Sequence, residues 1–357
     1  MRPALAVPTR SADSWSPSPP RRGTAARAVA GRPAGAAAGL LLDRVLGEPP
    51  PAVHPVAGFG SVMLAAERKG YRDSRVAGVV HAGVGVGLGA LAGAGLSALA
   101  GAGLGALRRP GGRVLAGEWS RSRLAASISA AVATEVAVAG QSLADAATSV
   151  ANALRGGDLE RARDLLPALV GRDPSGLDAG EITRAVVESV AENTVDAVVA
   201  PALWAAVAGA PGAWAYRAVN TLDAMVGHRS TRYLRFGWAS ARLDDAAGYV
   251  PARVTAALVA AVRPRAATAV WRAVRTQAPA HPSPNAGVAE AAFAAALGVR
   301  LGGRNRYGER IEIRPVLGTG RAPAVADIRA ATRLSGDVGL ALAAALVANG
   351  GLWSARA

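Results

Sequence analysis

Apolar and polar positions along this chain fall in long blocks rather than in alternation, which is the pattern of helices and not of strands. The longest block runs from Val76 to Leu107, 32 residues without a charge, bracketed by Arg75 and Arg108. A membrane-crossing helix needs about 20 apolar residues, so this block has length to spare for tilt. Its glycines recur at four-residue spacing in the pairs Gly83/Gly87, Gly89/Gly93 and Gly101/Gly105. In water so many glycines would melt a helix, whereas in lipid they let helix backbones approach closely. Leucines and valines interleaved throughout the block exclude a flexible linker.

The other segments are less uniform. Ala34 to Leu46 is apolar but short as a span, and Asp43 interrupts it. Leu124 to Leu154 carries Glu135, Gln141, Asp145 and Asn152 among alanines, valines and leucines, the signature of an amphipathic, partly wet helix. Ala197 to Tyr216 is uncharged over 20 residues but holds Pro201, Gly209, Pro211 and Gly212. Prolines remove helix hydrogen bonds, so this segment is expected to break and return to its starting face as a re-entrant element. Gly248 to Val262 is short and contains Arg253, and Val338 to Ala355 is expected as a final span. Arg310 to Val316 is the only strand candidate. The fold class expected is therefore all-α, a multi-pass membrane helical bundle with amphipathic and re-entrant helices. Residues 34–357 are expected to form the membrane-embedded domain, behind a disordered extension over residues 1–33 that is rich in Arg, Pro, Ser and Ala.

Composition supports lipid contact: 51% of the 357 residues are hydrophobic and only 18% charged, below the quarter usual for soluble domains. The net charge of +15 raises a nucleic-acid partner as an option. Lys69 is the only lysine, however, the arginines are dispersed, and no nucleic-acid-binding motif is present. Arginines flanking apolar runs read as membrane-side charges instead, so the expected partner is a lipid bilayer and not nucleic acid. With no cysteine, disulfides, thiolate metal sites and cysteine nucleophiles are excluded.

Candidate chemistry sits in polar blocks beside the apolar runs. In RAVVESVAENTVDAVVAPALW (Arg184 to Trp204), Glu188, Glu192 and Asp196 recur every fourth residue, which on a helix places three carboxylates along one face. Like charges at that spacing repel, and a divalent cation or a cationic substrate group would relieve them; a solvated acidic face is the plainer alternative. In YRAVNTLDAMVGHRSTRYLRFGWASARLDDAAGYVPAR (Tyr216 to Arg253), Arg217, Asn220, Asp223 and Gly227 share a helical stripe. His228, Arg229, Arg242 and the pair Asp244 and Asp245 follow. Adjacent aspartates after an arginine can hold Mg²⁺ while arginines hold phosphate oxygens. Ser283, Asn285 and Glu290 open a third block, where simple helix capping is the competing reading. A Walker-type ATP site is excluded, because Gly70 follows the only lysine.

Several of these stretches resemble one family. ESVAENTVD (Glu188 to Asp196), YRAVNTLDAMVGHR (Tyr216 to Arg229), SARLDD (Ser240 to Asp245) and SPNAG (Ser283 to Gly287) are similar to motifs of the adenosylcobinamide-phosphate synthase family, the CobD/CbiB type. LLDRVLGEPPPAVHPVAGFG (Leu41 to Gly60) looks like that family's opening, and VGRD (Val170 to Asp173) fits as well. The resemblance covers about Ala34 to the end. Glu48 stands where the family usually has Asp, and Val288 where an aromatic is common.

The resemblance implies an ATP-dependent ligase of cobalamin biosynthesis. It would join cobyric acid to aminopropanol or aminopropanol phosphate, using ATP and Mg²⁺, in the cell membrane and with a cytoplasmic active site. Given that reaction, chemistry assigns the candidate site residues to three groups. Asp244 and Asp245 are assigned to metal. Arg217 and Arg229 are assigned to phosphate, with Asn220, His228, Arg242, Ser283 and Asn285 as further substrate-binding residues. Glu192 or Asp196 is assigned to the amine, with Asn193 and Asp223 in the same catalytic group. The competing class is a non-catalytic corrinoid transporter or a scaffold for other cobalamin-pathway enzymes. A transporter would place its polar groups in mid-span, whereas here they cluster at span ends.

Overall fold

The computed structural model describes residues 30–48, 54–106, 118–171, 173–307 and 310–356. Most of the expected extension, residues 1–29, lies outside them, as do Leu107, Arg172 of the VGRD stretch and residues 49–53 of the opening motif. The helices are α1 (Arg32–Leu46), α2 (Pro55–Gly70), α3 (Arg75–Ala106), α4 (Glu118–Ala137), α5 (Gly140–Arg155), α6 (Leu159–Leu165) and α7 (Ala179–Thr194). They continue as α8 (Ala200–Leu222), α9 (Tyr233–Phe236), α10 (Trp238–Val262), α11 (Ala267–Thr276), α12 (Ala286–Leu297) and α13 (Val325–Arg356). The all-α expectation holds. Arg32 and Pro33, placed in the extension by the sequence, belong instead to α1, where Arg32 donates to the Val207 carbonyl at 2.9 Å.

Among the described residues, four segments are long and apolar enough to cross a membrane: Arg75–Ala106, Arg121–Arg155, Ala179–Gly227 and Val325–Gly350. On α3, Val76, Val80, Val84 and Leu88 form an exposed apolar row one helical turn apart. Such a row is stable facing lipid and costly facing water. The opposite face packs closely on α8 through Gly85, Gly89 and Gly93, where an added Cβ would strike Leu222, the Trp214 carbonyl and the Ala210 backbone. Of the glycine pairs singled out in the sequence, only Gly89/Gly93 works in this way. Gly83, Gly87, Gly101 and Gly105 have nothing within 4 Å of such a Cβ. Spacing shows which glycines share a face but not which face meets a partner.

The Ala179–Gly227 segment is not one straight span. Helix α7 begins at a capping box, in which Asp178 accepts from the Glu181 N–H at 2.7 Å and Glu181 accepts from the Asp178 N–H at 3.0 Å. It widens into a π-turn at Val195–Val199 and runs on into α8. At Gly209 the backbone takes φ 70°, ψ −156°, a conformation open to glycine, and the chain doubles back, with Pro211 starting the return. Gly212 then lies against the Trp204 carbonyl, with no room for a side chain. The tip sits beside Arg32, whereas Val198 at the base lies near Asp43. On α1 these two residues are about 16 Å apart at 1.5 Å rise per residue. That is about half of a 30 Å hydrocarbon core, the depth of a re-entrant hairpin.

Two expectations need correction. The Leu124–Leu154 stretch is not one helix, because Ala139 leaves helical geometry between α4 and α5 and donates its N–H to the Ala197 carbonyl at 2.9 Å. The single strand candidate is half of a hairpin: β1 (Leu301–Tyr307) pairs antiparallel with β2 (Arg310–Leu317). Strand β1 escaped the pattern because LGGRNRY does not alternate and carries Gly302 and Gly303 at positive φ.

Candidate active site

The hairpin in α8 decides which polar blocks meet. By reversing at Gly209 it returns Tyr216 to the level of the preceding π-turn, where its hydroxyl donates to Asp196 Oδ1 at 3.5 Å. Residues 20 positions apart in sequence thus share one site. One turn further on, Arg217 Nη1 reaches Asn220 Oδ1 at 3.4 Å, and Asn220 Nδ2 donates to Asp244 Oδ1 on α10 at 3.4 Å. A second π-turn, Asp223–Gly227, ends the segment, and the Asp223 carboxylate lies over Gly227 where no side chain would fit.

Asp196, Asp223 and Asp244 come close enough to act on one another electrostatically, together with Glu192. No arginine, lysine or histidine stands within ion-pair distance of Asp196, Asp223 or Asp244 among the described residues. Burial raises the Asp244 carboxyl to about 6; the Asn220 hydrogen bond opposes that shift, and the charges of Asp245 and Glu192 add to it. The cluster is thus a concentration of negative charge short of counter-charge.

Other predicted residues join at the edges. Asp245 pairs with exposed Arg242 at 3.4 Å, and its backbone carbonyl accepts from Asn285 Nδ2 at 2.9 Å. Arg253 Nη1 donates to Asn285 Oδ1 at 3.2 Å and to the Pro284 carbonyl at 3.1 Å, so the third block is anchored to α10. Ser283 Oγ accepts from the N–H groups of Asn285 and Ala286 just before α12. Three predicted residues stand apart. Asn193 turns back on its own helix, donating to the Ser189 carbonyl at 3.0 Å. His228 is exposed and packs edge-on against Tyr233, with ring centroids 4.9 Å apart. Arg229 is exposed on the loop after the second π-turn.

The row of three carboxylates read from spacing does not survive as a unit. Glu188 is buried and accepts from the Gly302 N–H of β1 at 2.8 Å, with Arg184 Nε at 3.7 Å. It ties the β-hairpin to α7, while the π-turn redirects Asp196 toward Tyr216. A π-turn adds a residue to the helical repeat, so four-residue spacing across it no longer marks one face.

The sequence also passed over residues that belong here. Tyr216 stands at the edge of its motif in the sequence, yet its hydroxyl reaches Asp196. Glu48 and His54 line a pocket with Arg217, Thr221 and Met225. His54 Nδ1 accepts from the Val56 N–H at 3.2 Å, and its Nε2 is buried without a hydrogen-bond partner, as is Arg217 Nε. The sequence signal for them is the His54-Pro55 step at the start of α2.

All donors in the acidic cluster are oxygens, which suits a hard cation such as Mg²⁺. Among the described residues no three acidic or histidine side chains converge on one point. A cation there would take one or two carboxylates and complete its shell with water and phosphate oxygens, the usual mode for Mg²⁺.

Comparison with known proteins gives a consistent family. A family model described as CobD/Cbib protein matches residues 36–335. The cobalamin biosynthesis protein CobD of Mycobacterium tuberculosis is 49% identical over 310 residues, covering 85% of this chain and 91% of the relative. The proteins of that name from Chromobacterium violaceum and Geobacter metallireducens are 44% and 40% identical, covering 83% and 78% of this chain and 89% and 84% of the relatives. No solved structure matches the chain.

Proposed function

The chain belongs to the CobD/CbiB family of cobalamin biosynthesis, and from that premise we propose that it is a membrane-embedded ligase. In this reading it joins aminopropanol, or its phosphate, to a carboxylate of cobyric acid at the expense of ATP. A carboxylate is a poor electrophile, so its oxygen first attacks the γ-phosphorus of ATP, forming an acyl phosphate and releasing ADP. The amine then attacks the acyl carbon. A C–N bond forms, the C–O bond to phosphate breaks, and inorganic phosphate leaves.

The observation that carries this reading is the cluster of Asp196, Asp223 and Asp244, which among the described residues has no ion pair and has the Arg217 guanidinium acting on Asp196 from nearby. Asp244, with Asp245, is the site for Mg²⁺, which when bound would neutralise phosphate charge. Arg217 holds phosphate oxygens, and its buried Nε is available as a donor. Asp196 accepts the amine proton, and the Tyr216 hydroxyl steadies that carboxylate. Asn220 bridges the two halves by touching both Arg217 and Asp244. The site is cytoplasmic in this reading, because ATP is available there.

Incubation of the detergent-purified protein with cobyric acid, aminopropanol phosphate, ATP and Mg²⁺ tests the proposal. Mass spectrometry should show the corrinoid gaining the amine less one water, with one ADP formed per product. An unchanged corrinoid with both amines, aminopropanol and its phosphate, would sink the ligase reading and leave a transporter or scaffold.

A further inference from the structure

The turn between α2 and α3 is strongly basic. Residues 67–75 carry Arg68, Lys69, Arg72 and Arg75 against two acids, Glu67 and Asp73. Residues 228–236, remote in sequence, add Arg229, Arg232 and Arg235 with no acid. All seven basic side chains are exposed.

The fold clamps these two segments together. The Tyr71 hydroxyl donates to the Arg232 carbonyl at 2.7 Å, and the Arg232 guanidinium lies 4.0 Å from the centre of the Tyr71 ring. Glu67, 3% exposed, accepts from Arg232 Nη2 and from the Tyr233 hydroxyl, each at 2.9 Å. Near the start of α3, Gly78 lies against the Phe236 carbonyl, with no room for a side chain. Glu67 is therefore spent on internal contacts, and Asp73 stands 3.9 Å from Arg235. Arg68, Lys69, Arg72 and Arg75 have no acid within ion-pair distance among the described residues. The result is a preformed rim at the head of α3 with a surplus of positive charge.

Charge alone would suit any polyanion. What singles out lipid is the apolar surface beside it. Val76 and Val80 begin the exposed apolar row of α3 directly after Arg75. Leu234 and Trp238, four residues apart, are exposed as well, and the Arg75 guanidinium lies 5.2 Å from the Trp238 ring centre. Basic and tryptophan side chains meeting an apolar face are the pattern of a bilayer's headgroup layer. A soluble polyanion would leave Leu234 and Trp238 facing water.

We propose that this rim docks on anionic phospholipid headgroups, so that acidic lipids gather around the head of α3. Their phosphates meet Lys69, Arg72 and Arg75, while Leu234 and Trp238 enter the upper acyl layer. A zwitterionic headgroup is drawn to the same side chains less strongly, because its own cation offsets its phosphate.

The chain has no cysteine, so a single reporter can be placed at the rim. Full-length Leu234→Cys carrying a bimane is reconstituted into phosphatidylcholine bilayers. These contain a minor share of phosphatidylglycerol or phosphatidylcholine brominated in the upper acyl chain, and bromine quenches the bimane only at close range. Brominated phosphatidylglycerol should quench at about fivefold lower membrane fraction than brominated phosphatidylcholine. That is the factor given by about 1 kcal/mol for one basic residue near an anionic surface. Lys69→Gln with Arg72→Gln and Arg75→Gln should bring the two lipids to parity, with quenching by phosphatidylcholine unchanged as the sign that the variant is still seated. Salt at about 1 M, where the screening length is about 3 Å, should do the same without any substitution at the rim's charges. Equal quenching by both lipids at low salt overturns the proposal, as does a preference that survives the triple variant or high salt. Quenching by neither lipid also overturns it, and a disulfide between two copies of unlabelled Leu234→Cys would then make a second copy the occupant.

Discussion

Two groups of carboxylates lie within a few turns of each other and have opposite surroundings. Glu188 and Glu290 are buried under the β-hairpin among partners: Gly302 N–H and Arg184 beside Glu188, His281 at 3.7 Å and Arg314 at 4.0 Å from Glu290. Among the described residues, Asp196, Asp223 and Asp244 are packed together without a basic side chain in ion-pair contact. The first group stabilises the fold, because its charge is answered within the protein. In the second the charge is not answered by an ion pair, and in the proposed reading it suits an arriving cation. Acidic residues at regular spacing are thus given different surroundings by what packs around them.

The largest expected effect is at Asp244. Asp244→Asn should lower turnover by at least about 100-fold, within the usual range for loss of a group that handles charge in the transition state. It should not lower thermal stability. The folded carboxyl titrates near 6, above its unfolded value, so its favourable contribution is present in acid and lost as pH rises through 6. At neutral pH a neutral amide removes a destabilising charge. Near-normal turnover across a Mg²⁺ titration would remove Asp244 from the site.

Glu188→Gln should do the reverse. It should cost about 1–3 kcal/mol of stability by weakening the bond to Gly302 and leaving Arg184 less well answered, while turnover per folded molecule stays within about twofold. Denaturation and assay on the same preparation would separate the two quantities. A turnover loss matching that of Asp244→Asn would merge the two groups and break the comparison.

Asp43 lies between these extremes, with backbone donors at the start of α5 and one oxygen, Oδ1, without a partner. Burial raises its carboxyl to about 6, so its contribution is fully present below about 4 and lost as pH climbs through 6. Asp43→Asn should therefore flatten the fall in stability between about pH 4 and pH 6 and stabilise the protein at neutral pH by up to about 2–3 kcal/mol. Melting temperature against pH would show it. An unchanged slope would mean that Asp43 is wetter than its burial implies.

Much of this was readable from residues alone. The uncharged run of α3, the break at Gly209 and Pro211 and the proximity of the motif blocks all followed from composition and spacing. The corrected points share one cause. The π-turn at Val195–Val199 parts Glu188 from Asp196, and β1 pairs although its sequence does not alternate. Gly83 and Gly101 look like Gly89 in sequence but meet no partner helix among the described residues. In each case the outcome depends on a neighbour remote in sequence, which local periodicity does not encode.

By itself the sequence determined the class of molecule, because burying apolar helices in lipid is a matter of length and charge content, both additive along the chain. It also determined that the α8 segment must break, since Pro211 and a positive-φ glycine act locally. Only the tertiary structure decided which carboxylates are answered and which are not. That choice is a matter of distances between groups on different helices, and electrostatic free energy depends on those distances and on local burial rather than on order along the chain.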